Sequence, residues 1–362
     1  MFLNTRIKAY LLRLFTTKKA RNFDIKDVKK VLFFRYDRIG DMVISTPVFR
    51  ELKLSLPEIK ISVLASKVNQ SILSNNPYID HIYVNNKHSF LSDLKTLFDL
   101  RKKNFDACIE FDHSVIPHAI IRLKIINPKV VISVFKKGRY GVEGKDLKLY
   151  DFYTEKKDNL HFRDIWLKSL SPFNINPKSN HYDLFCTAYQ NEVAQNFVIK
   201  FHKKFLIGIN LKGAVKGKKI EYEDLEEICR RLYEIHNNIK IIILSAPNNF
   251  QKVQEIIIKM GLNYVESSYK TNTVMDVAAL INQMHLIITP DTSIAHIASA
   301  YNKPIVTIHE NNQNSYELFR PTSKLNRTVF SKSKDSLSGF SINELIENCL
   351  ELIELTLQRN YD

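Results

Sequence analysis

The chain alternates short, wholly apolar runs with helical patterns, and two of the junctions carry small polar turns. The first turn is Arg35-Tyr36-Asp37-Arg38-Ile39-Gly40-Asp41-Met42-Val43, after the apolar run 31–34. The second is Thr289-Pro290-Asp291-Thr292-Ser293-Ile294-Ala295-His296, after the run 285–288. A short continuous apolar run reads as a strand buried on both faces, the habit of parallel sheets. A polar turn that opens a helix leaves backbone N–H groups unpaired, and these suit phosphate or another anion. Open α/β sheets bind ligands at the carboxyl ends of their strands. One such turn in each half predicts an α/β chain of two Rossmann-like, doubly wound parallel-sheet domains facing a central cleft.

The rest of the pattern fits this outline. In the first half strands are expected over 31–34, 59–64, 81–84, 107–111 and 130–134, with helices over 44–56, 69–74, 90–102 and 115–126. Residues 136–160 read as loops, helix resumes over 159–170, and 171–180, with Pro172 and Pro177, reads as an interdomain linker. In the second half strands are expected over 205–209, 239–244, 285–288 and 305–308, with helices over 222–236, 249–260, 275–282 and 293–301. Ser341 with Glu344 forms a capping box that opens a last helix. The expected organisation is an arm over 1–27, a first domain over 28–172, a linker over 173–182, a second domain over 183–340 and a closing helix over 341–362.

At 362 residues the chain can bury two cores. Its four cysteines are widely spaced, which argues against a disulfide framework or zinc site and fits a reducing cytoplasm. No apolar run reaches the roughly 18 residues of a spanning helix, so an integral membrane protein is not expected. A net charge of +15 points to an anionic partner: nucleic acid, a phosphorylated substrate or a membrane surface. Residues 1–22 place Leu3, Ile7, Tyr10, Leu11, Leu14 and Phe15 at helical spacing, with basic residues on the remaining face. Such a helix either lies on an anionic bilayer or packs its apolar face on the protein.

Asp41 follows Gly40 where the chain leaves its strand, and two roles are open to it. It can be a general base for an incoming hydroxyl or the N-cap of the helix. Arg35, Asp37 and Arg38 share the turn and can form an ion-pair cluster with it. In the second turn, Thr292 and Ser293 offer hydroxyls and backbone N–H groups to a pyrophosphate. Asp291 can cap the helix, hold the loop or meet a ribose hydroxyl, and His296 can donate to a phosphate or fix the turn. Between them, Asn210-Leu211-Lys212-Gly213-Ala214-Val215-Lys216-Gly217-Lys218-Lys219 is either a polyphosphate site or an ordinary basic loop; it is not a P-loop. Asp112-His113 ends another strand, facing the expected cleft. No metal-ligand spacing is present.

Taken together, Arg38-Ile39-Gly40-Asp41-Met42-Val43 through Thr46-Pro47, then Arg50-Glu51-Leu52-Lys53 and Pro57, resemble the opening of the ADP-heptose:lipopolysaccharide heptosyltransferase family, glycosyltransferase family 9. Pro290-Asp291-Thr292-Ser293-Ile294-Ala295-His296, followed by Lys303-Pro304-Ile305-Val306, is similar to that family's donor-site signature. The order of elements agrees from about residue 30 to residue 322. Some positions depart from the family: Ser293 stands where Gly is usual, Ile220-Glu221 replaces Trp-Pro, Ser245-Ala246-Pro247-Asn248-Asn249 replaces a Gly-rich acidic loop, and His309-Glu310 replaces the common Phe-Gly.

The resemblance implies a GT-B fold and inverting, metal-independent sugar transfer from a nucleotide sugar, ADP-heptose among the donors, to lipopolysaccharide core or a related surface glycan. It implies Asp41 as catalytic base; Lys218, Lys219, Thr292, Ser293 and His296 at the donor diphosphate; and Asp291, Asn210 and Asn248 at the donor loop and ribose. Arg38, Asp112, His113 and Arg139 are the candidates for acceptor binding. No cofactor or metal is expected, and the partners would be a nucleotide sugar, an anionic lipid-linked glycan and the inner-membrane surface met by residues 1–22. A cytoplasmic enzyme peripheral to the inner membrane follows. The rival readings are a GT-B transferase with another nucleotide sugar, a related epimerase, and a basic nucleic-acid-binding α/β protein; nucleic acid is not the expected partner.

Overall fold

The first apolar run becomes β1 (Lys30–Arg35), buried along its length after Lys30 and flanked on both edges by parallel neighbours. A computed structural model describes residues 23–85, 90–139, 141–154, 160–213 and 217–359, with residues 7, 9, 10, 12–14 and 16 of the amino-terminal segment. The chain divides into two units, Met1–His181 and Tyr182–Asp362, and the division falls within the expected linker.

In the first unit β1 is joined by β2 (Lys60–Ser66), β3 (His81–Asn85), β4 (Ala107–Glu110), β5 (Val130–Ser133) and β6 (Phe152–Tyr153). The six form one parallel sheet in the order β3-β2-β1-β4-β5-β6, with Val31 level with Ile61 on one side and Ala107 on the other. Its helices are α1 (Ile39–Ser55), α2 (Phe90–Lys102), α3 (Pro117–Ile126) and α4 (Phe162–Leu167). Helix α1 starts five residues before its expected place at 44, at Ile39. Gly40 and Met42–Leu52 are all buried, so the segment has no polar face to mark its first turn. The two-residue strand β6 lies in the stretch read as loop; both its residues are exposed, which leaves no apolar signature.

The second unit repeats the plan with β7 (Phe205–Asn210), β8 (Ile239–Leu244), β9 (Val265–Ser267), β10 (Leu286–Pro290), β11 (Ile305–His309) and β12 (Asn326–Phe330). Its order is β12-β11-β10-β7-β8-β9, again parallel, so counting within the unit gives the same 3-2-1-4-5-6 arrangement. The helices are α5 (Ala188–Val198), α6 (Tyr222–Ile235), α7 (Phe250–Met260), α8 (Val274–Gln283), α9 (Ser293–Ala300), α10 (Gln313–Phe319) and α11 (Ile342–Arg359). The sequence pattern does not announce β9 or β12, both edge strands with half-exposed polar residues. Helix α5, with Ala194 as its one buried residue, was likewise unmarked. Helix α11 packs on α6 and β12 and belongs to this unit.

Of the amino-terminal helix, Ala9 and Leu12 are buried in the first unit's core beside Leu32, Phe34 and Tyr36, whereas Ile7, Tyr10 and Leu14 are exposed. The other residues of 1–22, Arg13 and Thr16 apart, lie outside the described residues. Among the described residues no helix is long and apolar enough to cross a membrane.

Candidate functional site

In each sheet the chain reverses its winding direction between two neighbouring strands, β1 and β4 in the first, β7 and β10 in the second. Crevices at such switch points hold ligands in doubly wound folds, because the loops on either side diverge to opposite faces. The expected site residues gather at these two places.

At the first switch point, β1 ends at Arg35, which is 2% exposed. Its guanidinium carbon stands 4.1 Å from the Trp166 ring centroid and 5.3 Å from that of Phe111, a cation held over aromatic faces. Arg35 Nη2 reaches Asp37 Oδ2 at 2.9 Å and Asp41 Oδ1 at 3.6 Å, the cluster anticipated from the sequence. Asn69 Nδ2 donates to the Arg35 carbonyl at 2.8 Å and ties down the start of the turn. The N-cap of α1 is Arg38, extended at φ −92° and ψ 164°, and no side chain caps the helix. The capping role weighed for Asp41 is therefore excluded: it is the third helical residue, and its carboxylate keeps 17% of its surface open. Arg38 is exposed at the same turn.

Beside it, the loop after β4 is organised by a sealed ion pair. Glu110 and Lys136 carry side chains only 1% exposed and bond to each other, and Lys136 also donates to the Asp112 carbonyl at 2.6 Å. Glu110 Oε1 accepts from the Asp112 N–H at 2.8 Å. Burial pushes the Glu110 carboxyl up, against the opposing pull of Lys136. His113 faces inward: its Nε2 accepts from Trp166 Nε1 at 2.9 Å and its ring lies 4.0 Å from Phe162. Burial, then the Lys136 and Arg35 charges, take its pKa down to about 3. His113 thus braces the aromatic wall under Arg35. Arg139 is exposed, its backbone paired with Val142.

At the second switch point, Asn210 closes β7 and its Nδ2 donates to Thr289 Oγ1 at 2.9 Å and Thr292 Oγ1 at 3.1 Å. Thr292 is the N-cap of α9 and accepts from the Ile294 N–H at 3.2 Å. The lysine loop folds back on itself, with Lys212 paired to Lys219 and the Gly213 N–H donating to the Lys218 carbonyl at 2.9 Å. Gly217 makes this bend at φ +92°, where an added Cβ would meet the Asp335 carbonyl oxygen at 3.0 Å. Ala214, Val215 and Lys216 of the loop lie outside the described residues.

The bend delivers the Lys218 ammonium between two carboxylates, Asp291 and Glu310, the latter at 3.1 Å. His309 Nε2 lies 3.4 Å from the other oxygen of Asp291. Burial by itself would raise the Asp291 pKa, but His309 and Lys218 outweigh it and hold the carboxyl well below its ordinary range. The two carboxylates likewise raise Lys218 despite its burial. Lys219 turns outward to exposed Glu221. His296 is 4% exposed, with the rings of Tyr182 and Phe319 near it at 6.3 and 6.4 Å. Asn248 is exposed in the turn after β8.

The structure therefore brings Asp291, Thr292, Asn210 and Lys218 together and leaves Lys219 and Asn248 at the surface. The sequence reading missed Trp166, Glu110–Lys136 and the place of Glu310 beside Lys218. Of these only Glu310 left a trace, as a lone acid directly after an apolar strand.

Two Rossmann-like halves, each with a polar turn at its switch point, define a class of doubly wound α/β proteins with a ligand crevice at each sheet. The particular membership comes from comparison: the model of glycosyltransferase family 9 (heptosyltransferase) matches residues 99–341, and the chain belongs to that family. It is a glycosyltransferase. It is 22% identical over 288 residues to the lipopolysaccharide core heptosyltransferase OpsX of Haemophilus influenzae, covering 78% of this chain and 79% of the relative. A family 9 glycosyltransferase from Veillonella parvula superposes with a TM-score of 0.75 at 18% identity, covering 94% of this chain and 100% of the other. The Escherichia coli heptosyltransferase WaaC with ADP-2-deoxy-2-fluoro heptose superposes with a TM-score of 0.69 at 16% identity, covering 89% and 99%. The fold is accordingly GT-B.

Proposed function

We propose that this glycosyltransferase moves a heptose from ADP-heptose to the core of lipopolysaccharide or a related anionic surface glycan, without a metal and with inversion. The observation that carries the reading is the Asp41 carboxylate, at a switch point, held by Arg35 and committed to no cap. As base, Asp41 takes the proton of the acceptor hydroxyl as that oxygen attacks the anomeric carbon of the donor. The nucleoside diphosphate leaves from the second unit. There the amino-terminal N–H groups of α9, Thr292, Ser293 and Lys218 receive its negative charge, a reading supported by the helix start at Thr292 and the nearby Lys218 ammonium. Asp291 and Asn210 act by holding that turn. His296 shapes its floor, and Lys219 and Asn248 contribute from the rim. Exposed Arg38 and Arg139, with Asp112, meet the acceptor's phosphates and hydroxyls.

The relatives' activity on lipopolysaccharide core and a donor-analogue complex in WaaC support the choice of acceptor and donor. Asp41→Asn should lower turnover about 10²-fold or more while nucleoside diphosphate affinity stays within about twofold. Nucleoside diphosphate release with purified acceptor measures the first, and calorimetry the second. Undiminished turnover would remove Asp41 from the chemistry, and hydrolysis or transfer from a different nucleotide sugar alone would replace the donor.

The enzyme works at the cytoplasmic face of the inner membrane, with Ile7, Tyr10 and Leu14 as its apolar contact. These recur at helical spacing and are exposed, while Ala9 and Leu12 face the core. Replacing all three with serine should abolish co-sedimentation with anionic vesicles; unchanged sedimentation would refute the contact.

A further inference from the structure

We propose that Glu310 sets how tightly the second unit holds a nucleoside diphosphate, by competing with the diphosphate for the Lys218 ammonium; this rests on the donor-site reading above. Lys218 carries three donors on one positive charge. In the structure that charge is shared by two carboxylates, so Lys218, Asp291 and Glu310 together are formally −1. All three side chains are only 12–13% exposed, so solvent screens them partially. A diphosphate brings further negative charge to a cation already satisfied. For a phosphate oxygen to reach Lys218, one carboxylate must give way.

The two carboxylates are not equally free to move. Asp291 is braced by His309 at 3.4 Å and by its own N–H, which donates to the Ile308 carbonyl at 3.0 Å. The carboxylate of Glu310 has Lys218 as its partner among the described residues. Its backbone carbonyl accepts from the Asn312 N–H, so the main chain stays fixed while the side chain can swing. Glu310 is therefore the group that yields. Having yielded, it remains on a short tether beside the cation and competes for its return. The consequence is a site that accepts the diphosphate and releases it readily.

The test is calorimetric titration of wild type, Glu310→Gln and Glu310→Gly with ADP, UDP, GDP and CDP, and with adenosine as the uncharged control. Glu310→Gln keeps the side-chain volume without the charge, and Glu310→Gly removes the side chain altogether. Both should bind the preferred nucleoside diphosphate about tenfold more tightly than wild type, the effect of roughly one unfavourable charge interaction. Affinity for adenosine should not change, since adenosine brings nothing to Lys218. Equal or weaker nucleoside diphosphate binding by both variants, with wild type binding measurably, overturns the competition alone. Failure of wild type and both variants to bind any nucleoside diphosphate overturns the donor-site reading and this inference with it.

Discussion

The two sheets share one strand order and put charged residues at the same switch point, yet they treat those charges in opposite ways. In the first unit Glu110 and Lys136 are sealed at 1% exposure, and Arg35 lies over the Trp166 ring. The charge network is structural there, and two carboxylates of the Arg35 cluster stay partly open, Asp37 at 33% and Asp41 at 17% exposure. In the second unit the ion cluster of Lys218, Asp291 and Glu310 is itself at the edge, where a ligand can rearrange it. A buried ion pair is costly to break because removing one partner strands the other charge out of water. A cluster 12–13% exposed is partly screened and exchanges partners at lower cost. Equal topology thus surrounds one unit's turn with a sealed charge network and gives the other a cluster that is partly open to solvent.

This contrast can be broken by mutation. The largest effect should come from Lys136→Met, which leaves Glu110 uncompensated and should cost about 3–5 kcal/mol in urea unfolding. Adding Glu110→Leu should return most of it; a Lys136→Met cost below about 1 kcal/mol would show that the pair is not sealed. Next is pH. The lowered pKa of His113, about 3 against 6.5 when unfolded, means that the unfolded chain takes up a proton the folded chain refuses. Its contribution is complete above about pH 6.5 and lost as pH falls toward about 3, by at most about 1.4 kcal/mol per pH unit. His113→Gln should flatten that slope in thermal unfolding across pH 4–6; an unaltered slope would place the titration elsewhere.

In the second unit Asn210→Ala removes the donor to both Thr289 and Thr292, and should cost about 1–2 kcal/mol while loosening nucleoside diphosphate binding. Full retention of both stability and binding would mean that the threonines hold the turn alone. Smallest of all, Lys219→Ala should change stability by no more than about 0.5 kcal/mol, because Lys219 and Glu221 are both exposed. A larger shift in melting temperature would show that the lysine loop is more tightly built than its surface pair implies.

Much of the fold was legible in the residues themselves. Strands β4, β7 and β10, and β1 after Lys30, are buried and appear as apolar runs, because both of their faces are covered. Edge strands β6, β9 and β12 did not, since half-solvated residues need no apolar side chains. The start of α1 was hidden for the opposite reason: its first turns are buried nearly all round and show no stripe. The two turns marked the site, and the family resemblance supplied roles. Which histidines serve packing was not legible, because His113 and His296 owe their burial to Trp166, Phe162, Tyr182 and Phe319, none of them adjacent in sequence.

By itself the sequence determined the alternation of strands and helices, the parallel sheets and the two turns that open α1 and α9. Those are local properties, written in hydrophobic spacing and in residues suited to a strand-to-helix bend. Tertiary structure alone decided the partners of the distant charges: Lys136 with Glu110, and Lys218 between Asp291 and Glu310. Lys218 and Asp291 lie 73 residues apart, and no local pattern encodes their meeting. Electrostatic pairing depends on distance and burial in space, and both are fixed only when the strands take their order in the sheet.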